Sequence, residues 1–206
     1  FNTAMQIVLN TLGLNYADEI IASPVSCLAS NQPFAIKGLK VVWADIDPKT
    51  GTLCPEDVKS KISKNTKAIF HNHFCGYVGD IDAINSIGKE FGIPVIDDGI
   101  EAFGSEYKGK KLGNVDSDLT IFSFQTVRLP NTIDGGAIVF KDKELYEKAK
   151  LIRDYGIDRA IFRTSDGDAP LYDKDFTLAT IESPVATTDN ALSYSQHIFL
   201  IGGKNG

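Results

Sequence analysis

The sequence predicts an α/β fold of three layers, α/β/α, built on a mostly parallel sheet. Three observations predict it. Short apolar runs alternate with stretches of helical periodicity, joined by short connections, as in repeated β–α–β units. Two of those runs, Val95 with Ile96 and residues 119–124, are apolar enough to be strands covered on both faces. Each is followed at once by polar residues: Asp97 and Asp98 after the first, Ser123 and Arg128 at and beyond the end of the second. Open α/β sheets bind ligands just outside the carboxyl ends of their strands. A carboxylate and a hydroxyl on neighbouring strand ends can hold the two ends of one flat, basic, phosphorylated molecule.

The elements follow in order. Residues 1–14 carry Met5, Val8, Leu9 and Leu12 on a helical stripe, with Gly13 as its stop. Phe1 arrives in mid-pattern, so the expectation is of an N-terminal piece beyond this sequence. ADEIIASP is a strand ending at Pro24, residues 27–36 a short helix, and LKVVWADID a strand closing on Asp45 and Asp47. Residues 55–62 open with Pro and two acidic residues, as a helix start favours. TKAIFHNHF is the next strand, residues 80–91 a helix stopped by Gly92, and GIPVIDD another strand. After Gly136, AIVF precedes a charged helix over 143–154 with Leu145, Ala149 and Ile152 on one side. The chain thus divides into a large domain, 1–162, and a remainder, 163–206. That remainder reads as an irregular Thr-, Ser-, Asp- and Pro-rich segment and a C-terminal helix, packed on the same domain or on a partner subunit.

Composition removes several classes of function. A net charge of −6 over 206 residues argues against a nucleic-acid or anionic-membrane footprint. No apolar run reaches the roughly 18 residues of a membrane span, and no signal-peptide pattern opens the chain. Cys27, Cys54 and Cys75 lack CxxC spacing, which fits reduced thiols in a cytoplasmic protein. His71 and His73 alternate on a strand at metal-compatible spacing, but no third ligand is near in sequence, so one polar strand face is the simpler account and no metal is expected. The glycines around GKKLGN mark a turn, since no GxGxxG follows a first strand.

Six stretches, DEIIASPVSCLAS, VVWADIDPKTG, NTKAIF, GIPVIDDGIEAFGSEYKGKKLG, FSFQTV and LIRDYGIDR, resemble in order and spacing the DegT-type nucleotide-sugar aminotransferases. Those are fold-type-I enzymes that use pyridoxal 5′-phosphate (PLP). The resemblance covers about residues 3–160 and implies that 1–162 is equivalent to the large domain of such an enzyme. It implies PLP or its amine form, pyridoxamine 5′-phosphate, as cofactor, a nucleotide-linked keto sugar and an amino donor as partners, a place in surface-polysaccharide or secondary-sugar biosynthesis, and a homodimer with the site at its interface.

The same resemblance assigns residues. Asp98 matches the aspartate that pairs with the pyridine nitrogen and keeps it protonated, so that the ring acts as an electron sink. Glu101 stands where the family has Gln or His beside the phenolic oxygen, and a carboxylate there repels an anionic oxygen. Ser123 matches the serine that binds the phosphate. The family's Ser-Gly-Thr phosphate clamp falls at the chain start, where Asn2 is the candidate. In PVSCLAS the ring-stacking position is held by Cys27 or Ser26, forfeiting an aromatic contact of about 1 kcal/mol. Arg128 stands at the Schiff-base lysine position. Its delocalised guanidinium stays protonated and does neither the covalent nor the proton-shuttling work of a lysine.

Three functions follow. One is a PLP-dependent aminotransferase-like protein of nucleotide-sugar metabolism, impaired because Arg128 replaces the lysine. The second is a non-catalytic relative that binds a phosphorylated ligand or pairs with an active subunit. The third is a lysine-less dehydratase using the amine form of the cofactor, although that branch carries histidine where this chain has Arg128.

Overall fold

The computed structural model describes residues 1–158 and 198–202. Helix α1 (Asn2–Thr11) is followed by strand β1 (Glu19–Ala22), helix α2 (Leu28–Lys37), strand β2 (Lys40–Trp43), helix α3 (Pro55–Lys61) and strand β3 (Thr66–Asn72). Helix α4 (Ile81–Phe91) and strand β4 (Val95–Asp98) come next. A small hairpin, β5 (Glu106–Tyr107) with β6 (Lys110–Lys111), then precedes strands β7 (Leu119–Ser123) and β8 (Gly136–Phe140). Helix α5 (Lys143–Arg153) and strand β9 (Ile198–Gly202) complete the described elements.

The main sheet has seven strands in the order β2-β1-β3-β4-β7-β8-β9. Every neighbouring pair is parallel except β7 with β8. Because strand residues alternate between faces, the core falls into two layers. Ala68, Phe70, Ile96 and Ile121 point to the side covered by α1, α2 and α5, where they pack with Met5, Val8, Phe34, Ala149 and Ile152. Their neighbours Ile69 and Val95 point the other way, onto Val58 of α3 and Ile84 and Ile87 of α4. This is the three-layer α/β/α arrangement with a mostly parallel sheet that the β–α–β alternation predicts.

Helix α4 shows how local sequence sets an element. The Asp80 carboxylate accepts from the Ala83 N–H at 3.1 Å, and Gly92 ends the helix at φ 65°. Ile81, Ile84, Ile87 and Gly88 form the buried stripe between those limits, each isoleucine contributing about 1.5–3 kcal/mol of burial.

Two expectations need correction. Residues 198–202 are strand β9, parallel to β8, and not part of a C-terminal helix; the rest of 163–206 lies outside the described residues. The strand expected to run to Asp47 stops at Trp43. Beyond it the Asp45 N–H turns to the Asp57 carboxylate at 2.6 Å, and Ile46 pairs antiparallel with Leu53, so the chain leaves the sheet. Among the described residues, no helix is long and apolar enough to cross a membrane.

Candidate active site

The parallel strands β3, β4 and β7 lie side by side and end together. Two-residue alternation places Asn72, Asp98 and Ser123 on the same face as Phe70, Ile96 and Ile121, beneath α1 and α2. Asn72 and Asp98 are direct register partners. The Asn72 amide donates to Asp98 Oδ2 at 2.5 Å, and the Ile100 N–H donates to Oδ1 at 3.1 Å. Asp98 is 1% exposed. Burial pushes its pKa up to about 6, even though the Ile100 and Asn72 donors pull it down.

Ser123, also buried, ends the neighbouring strand and pairs with Gly136 of β8. A Cβ on Gly136 would come within 3.3 Å of the Ala4 methyl and 3.8 Å of the Phe1 Cα. The first turn of α1, which begins at Asn2, therefore lies over the Ser123–Gly136 pair. Asn2 itself is exposed. Helix α2 enters the same face: Cys27 precedes it as its N-cap and is exposed, while Ser30 of its first turn is buried.

Glu101 and Arg128 meet at the rim of this face. Arg128 Nη1 donates to Glu101 Oε1 at 2.9 Å, with the two side chains 21% and 29% exposed. The other oxygen of Glu101 accepts from the Cys75 N–H at 2.8 Å. Arg128 is carried on the connection between β7 and β8. That connection is held as a hairpin by Phe124 N–H to Gly135 O, Thr132 N–H to Phe124 O and Thr126 N–H to Ile133 O. Its tip exposes Val127, Leu129 and Ile133.

On the opposite face of β3 and β4, His71, His73 and Asp97 come together, all fully buried. The third partner that the spacing of the histidines lacked is thus Asp97, supplied by the register of His71 against Asp97. Asp97 Oδ1 lies 3.4 Å from His71 Nδ1 and 3.3 Å from His73 Nε2. The Gly79 N–H donates to His73 Nδ1 at 3.3 Å, which leaves the His73 proton on Nε2, aimed at Asp97. The ligand atoms of the three residues lie within 4.8 Å of one another, two imidazoles grouped about one carboxylate. Burial holds the His71 pKa below its ordinary value, and the neighbouring His73 adds to this. Burial alone would raise Asp97, but the two histidines outweigh it and hold its carboxyl well below the usual range.

Sequence reasoning had singled out Asp98, Glu101, Ser123, Asn2, Cys27 and Arg128. The structure sets Asp98 and Ser123 at the ends of the adjacent strands β4 and β7 and pairs Glu101 with Arg128, while Asn2 opens α1 and Cys27 caps α2. Asn72 was missed, because only the pairing of β3 with β4 reveals it.

A model of the DegT/DnrJ/EryC1/StrS aminotransferase family matches residues 2–177. The chain belongs to that family. Its members include PLP-dependent sugar aminotransferases of nucleotide-sugar biosynthesis. This DegT-family chain is 38% identical over 156 residues to a UDP-2-acetamido-2-deoxy-3-oxo-D-glucuronate aminotransferase of Pseudomonas aeruginosa, covering 76% of this chain and 44% of that protein. Its fold matches Helicobacter pylori PseC, an aminotransferase involved in the biosynthesis of pseudoaminic acid, with a TM-score of 0.70 at 28% identity, over 77% of this chain and 43% of that one. It also matches DesI, solved in the presence of its TDP-sugar product, with a TM-score of 0.72 at 27% identity, over 82% of this chain and 41% of DesI. The DegT-family chain thus spans less than half the length of these relatives.

Proposed function

We propose that this chain carries the cofactor pocket of a DegT-family protein of nucleotide-linked keto-sugar metabolism, with transamination impaired at Arg128. The observation that carries the reading is Asp98: a buried carboxyl, raised in pKa, at the end of a strand beside Ser123. A buried carboxylate of this kind is stabilised by a cation set against it, and a protonated pyridine nitrogen is such a cation. The first turn of α1 over Ser123 suits a phosphate, because a helix N-terminus presents free N–H groups and a positive dipole. The residues present therefore fit PLP or pyridoxamine 5′-phosphate.

Bound there, the cofactor would supply an electron sink for a carbanion. Asp98 would hold the proton at the ring nitrogen and Asn72 would orient Asp98. Ser123 and Asn2 would bind the phosphate, and Cys27 would lie at the ring face. Arg128 cannot give up its proton near neutral pH, so it neither bonds covalently to the aldehyde nor carries a proton between carbon atoms. Its ion pair with Glu101 favours a second reading, a relative that binds the ligand without turning it over. The free thiols Cys27, Cys54 and Cys75 suit the cytoplasm, and the exposed Val127, Leu129 and Ile133 suit a homodimer; sedimentation over a concentration series tests the latter.

Equilibrium dialysis of the chain against PLP and against pyridoxamine 5′-phosphate tests the pocket. Saturable binding is expected, weakened at least about tenfold by Asp98→Ala, for loss of a buried charged contact. Borohydride treatment is expected to leave no pyridoxyl mass on the peptide that contains Arg128. If neither compound binds saturably, the cofactor reading fails.

A further inference from the structure

We propose that Glu101 is a positioning residue for whatever cation stands at position 128, so that the two positions work as one unit. The inference deepens the reading above, since it concerns the same site. The structure joins positions 101 and 128 directly. The Glu101 carboxylate is anchored first by the backbone: its Oε2 accepts from the Cys75 N–H at 2.8 Å. Cys75 belongs to a tight turn, with φ 54°, whose neighbour Gly76 lies so close that a Cβ there would sit 3.0 Å from the Glu101 carbonyl oxygen. That anchor fixes Oε1 toward the hairpin tip, where Arg128 Nη1 meets it at 2.9 Å. Both carboxylate oxygens are therefore engaged, one by a rigid backbone donor and one by the cation.

The consequence is chemical. An amine captures an aldehyde only after losing its proton, and a carboxylate within contact distance favours the protonated form. Arg128→Lys alone would put an ammonium opposite a fixed carboxylate, partly buried, and would hold it charged. Recovering a neutral amine takes two changes, at 101 and at 128.

The test reads the pair with no cofactor present, so it is independent of whether PLP binds. The full chain bearing Arg128→Lys, with and without Glu101→Gln, is reductively methylated with isotope-labelled methyl groups. The new lysine resonance, absent from the parent spectrum, is titrated by NMR. The midpoint is expected to fall by about one pH unit, a tenfold change in the protonation constant, when Glu101→Gln is added. Glu106→Gln, which removes an exposed carboxylate paired with Lys111 at 2.9 Å, serves as control and is expected to leave the midpoint in place. Equal midpoints with and without Glu101→Gln would overturn the proposal, as would a shift of the same size from Glu106→Gln. PLP dialysis on the same variants reports separately on the pocket: no binding there, with the midpoint shift present, removes the cofactor reading and leaves the pair standing.

Discussion

The Asn72 amide and the Asp98 carboxylate face each other across β3 and β4 as register partners, 2.5 Å apart and both buried. Asn72→Ala removes this donor and leaves the buried carboxylate with the Ile100 N–H at its other oxygen. A lost hydrogen bond to a buried charged group costs about 1–3 kcal/mol. Urea unfolding at pH 7 is expected to show that loss. At pH 4, where Asp98 is mostly protonated, the loss is expected to be smaller. An equal loss at both pH values would mean that the amide acts on packing alone.

Asp98 gives a pH dependence of known sign. Its folded pKa of about 6 lies above the ordinary 3.8, so the folded chain binds the extra proton between those values. The stability linked to that proton is complete below about pH 4 and is lost as the pH rises through about 6. Two units of pKa correspond to about 3 kcal/mol. Asp98→Asn cannot ionise, so its stability relative to the parent is expected to improve by that order between pH 4 and pH 7. Parallel pH profiles for the two chains would place the Asp98 carboxyl near its ordinary pKa and remove the argument for a cation beside it.

Asp97, one residue earlier and on the opposite face, works in the other direction. Its pKa is depressed, so its contribution is present above the ordinary carboxylate range and is lost as the pH falls through and below that range. Asp97→Asn is expected to destabilise the chain at pH 7 by about 1–3 kcal/mol, since both imidazoles lose a charged acceptor. The deficit is expected to shrink toward pH 3. Two adjacent carboxyls of one strand thus carry opposite pH signatures, because alternation sends one toward two histidines and the other toward an amide and a helix turn.

Much of this was legible in the sequence, and what was not has a physical reason. Helix α4 announces itself through Asp80, the isoleucine stripe and Gly92, all local signals. Asp98 and Ser123 are visible as polar residues ending apolar strands. Asn72 ends a strand too, but its role depends on which strand β4 pairs with, and register is set by tertiary packing. The same holds for His71 and Asp97, which are 26 residues apart in sequence and adjacent only through the pairing of β3 with β4. Glu101 and Arg128 each stood out alone; their contact depends on the path of the hairpin between β7 and β8. The run IFLIG in β9 is too short for periodicity to tell helix from strand, and the hairpin of β5 and β6 read only as a turn because each strand has two residues.

Gly79 provides a test of the histidine cluster that replaces no titrating side chain. Its φ lies outside the left-handed region, so alanine is permitted by the backbone and the effect is one of space alone. A methyl there would overlap His71 Nε2 and Thr52 Oγ1 and come within 2.9 Å of the Thr52 Cβ. His71 is fully buried and Thr52 1% exposed, so neither can retreat into solvent. Overpacking of this kind costs about 1–3 kcal/mol, and His71 and Thr52 are the side chains that must give way. Gly79→Ala is therefore expected to lower the urea midpoint and to change the His71 ring signals in NMR. Adding His71→Ala to Gly79→Ala relieves one of the two overlaps and leaves that with Thr52, so the double variant is expected to be less destabilised than the sum of the two single changes. Strict additivity would mean that the methyl is accommodated without moving His71, and that the cluster is looser than its burial implies.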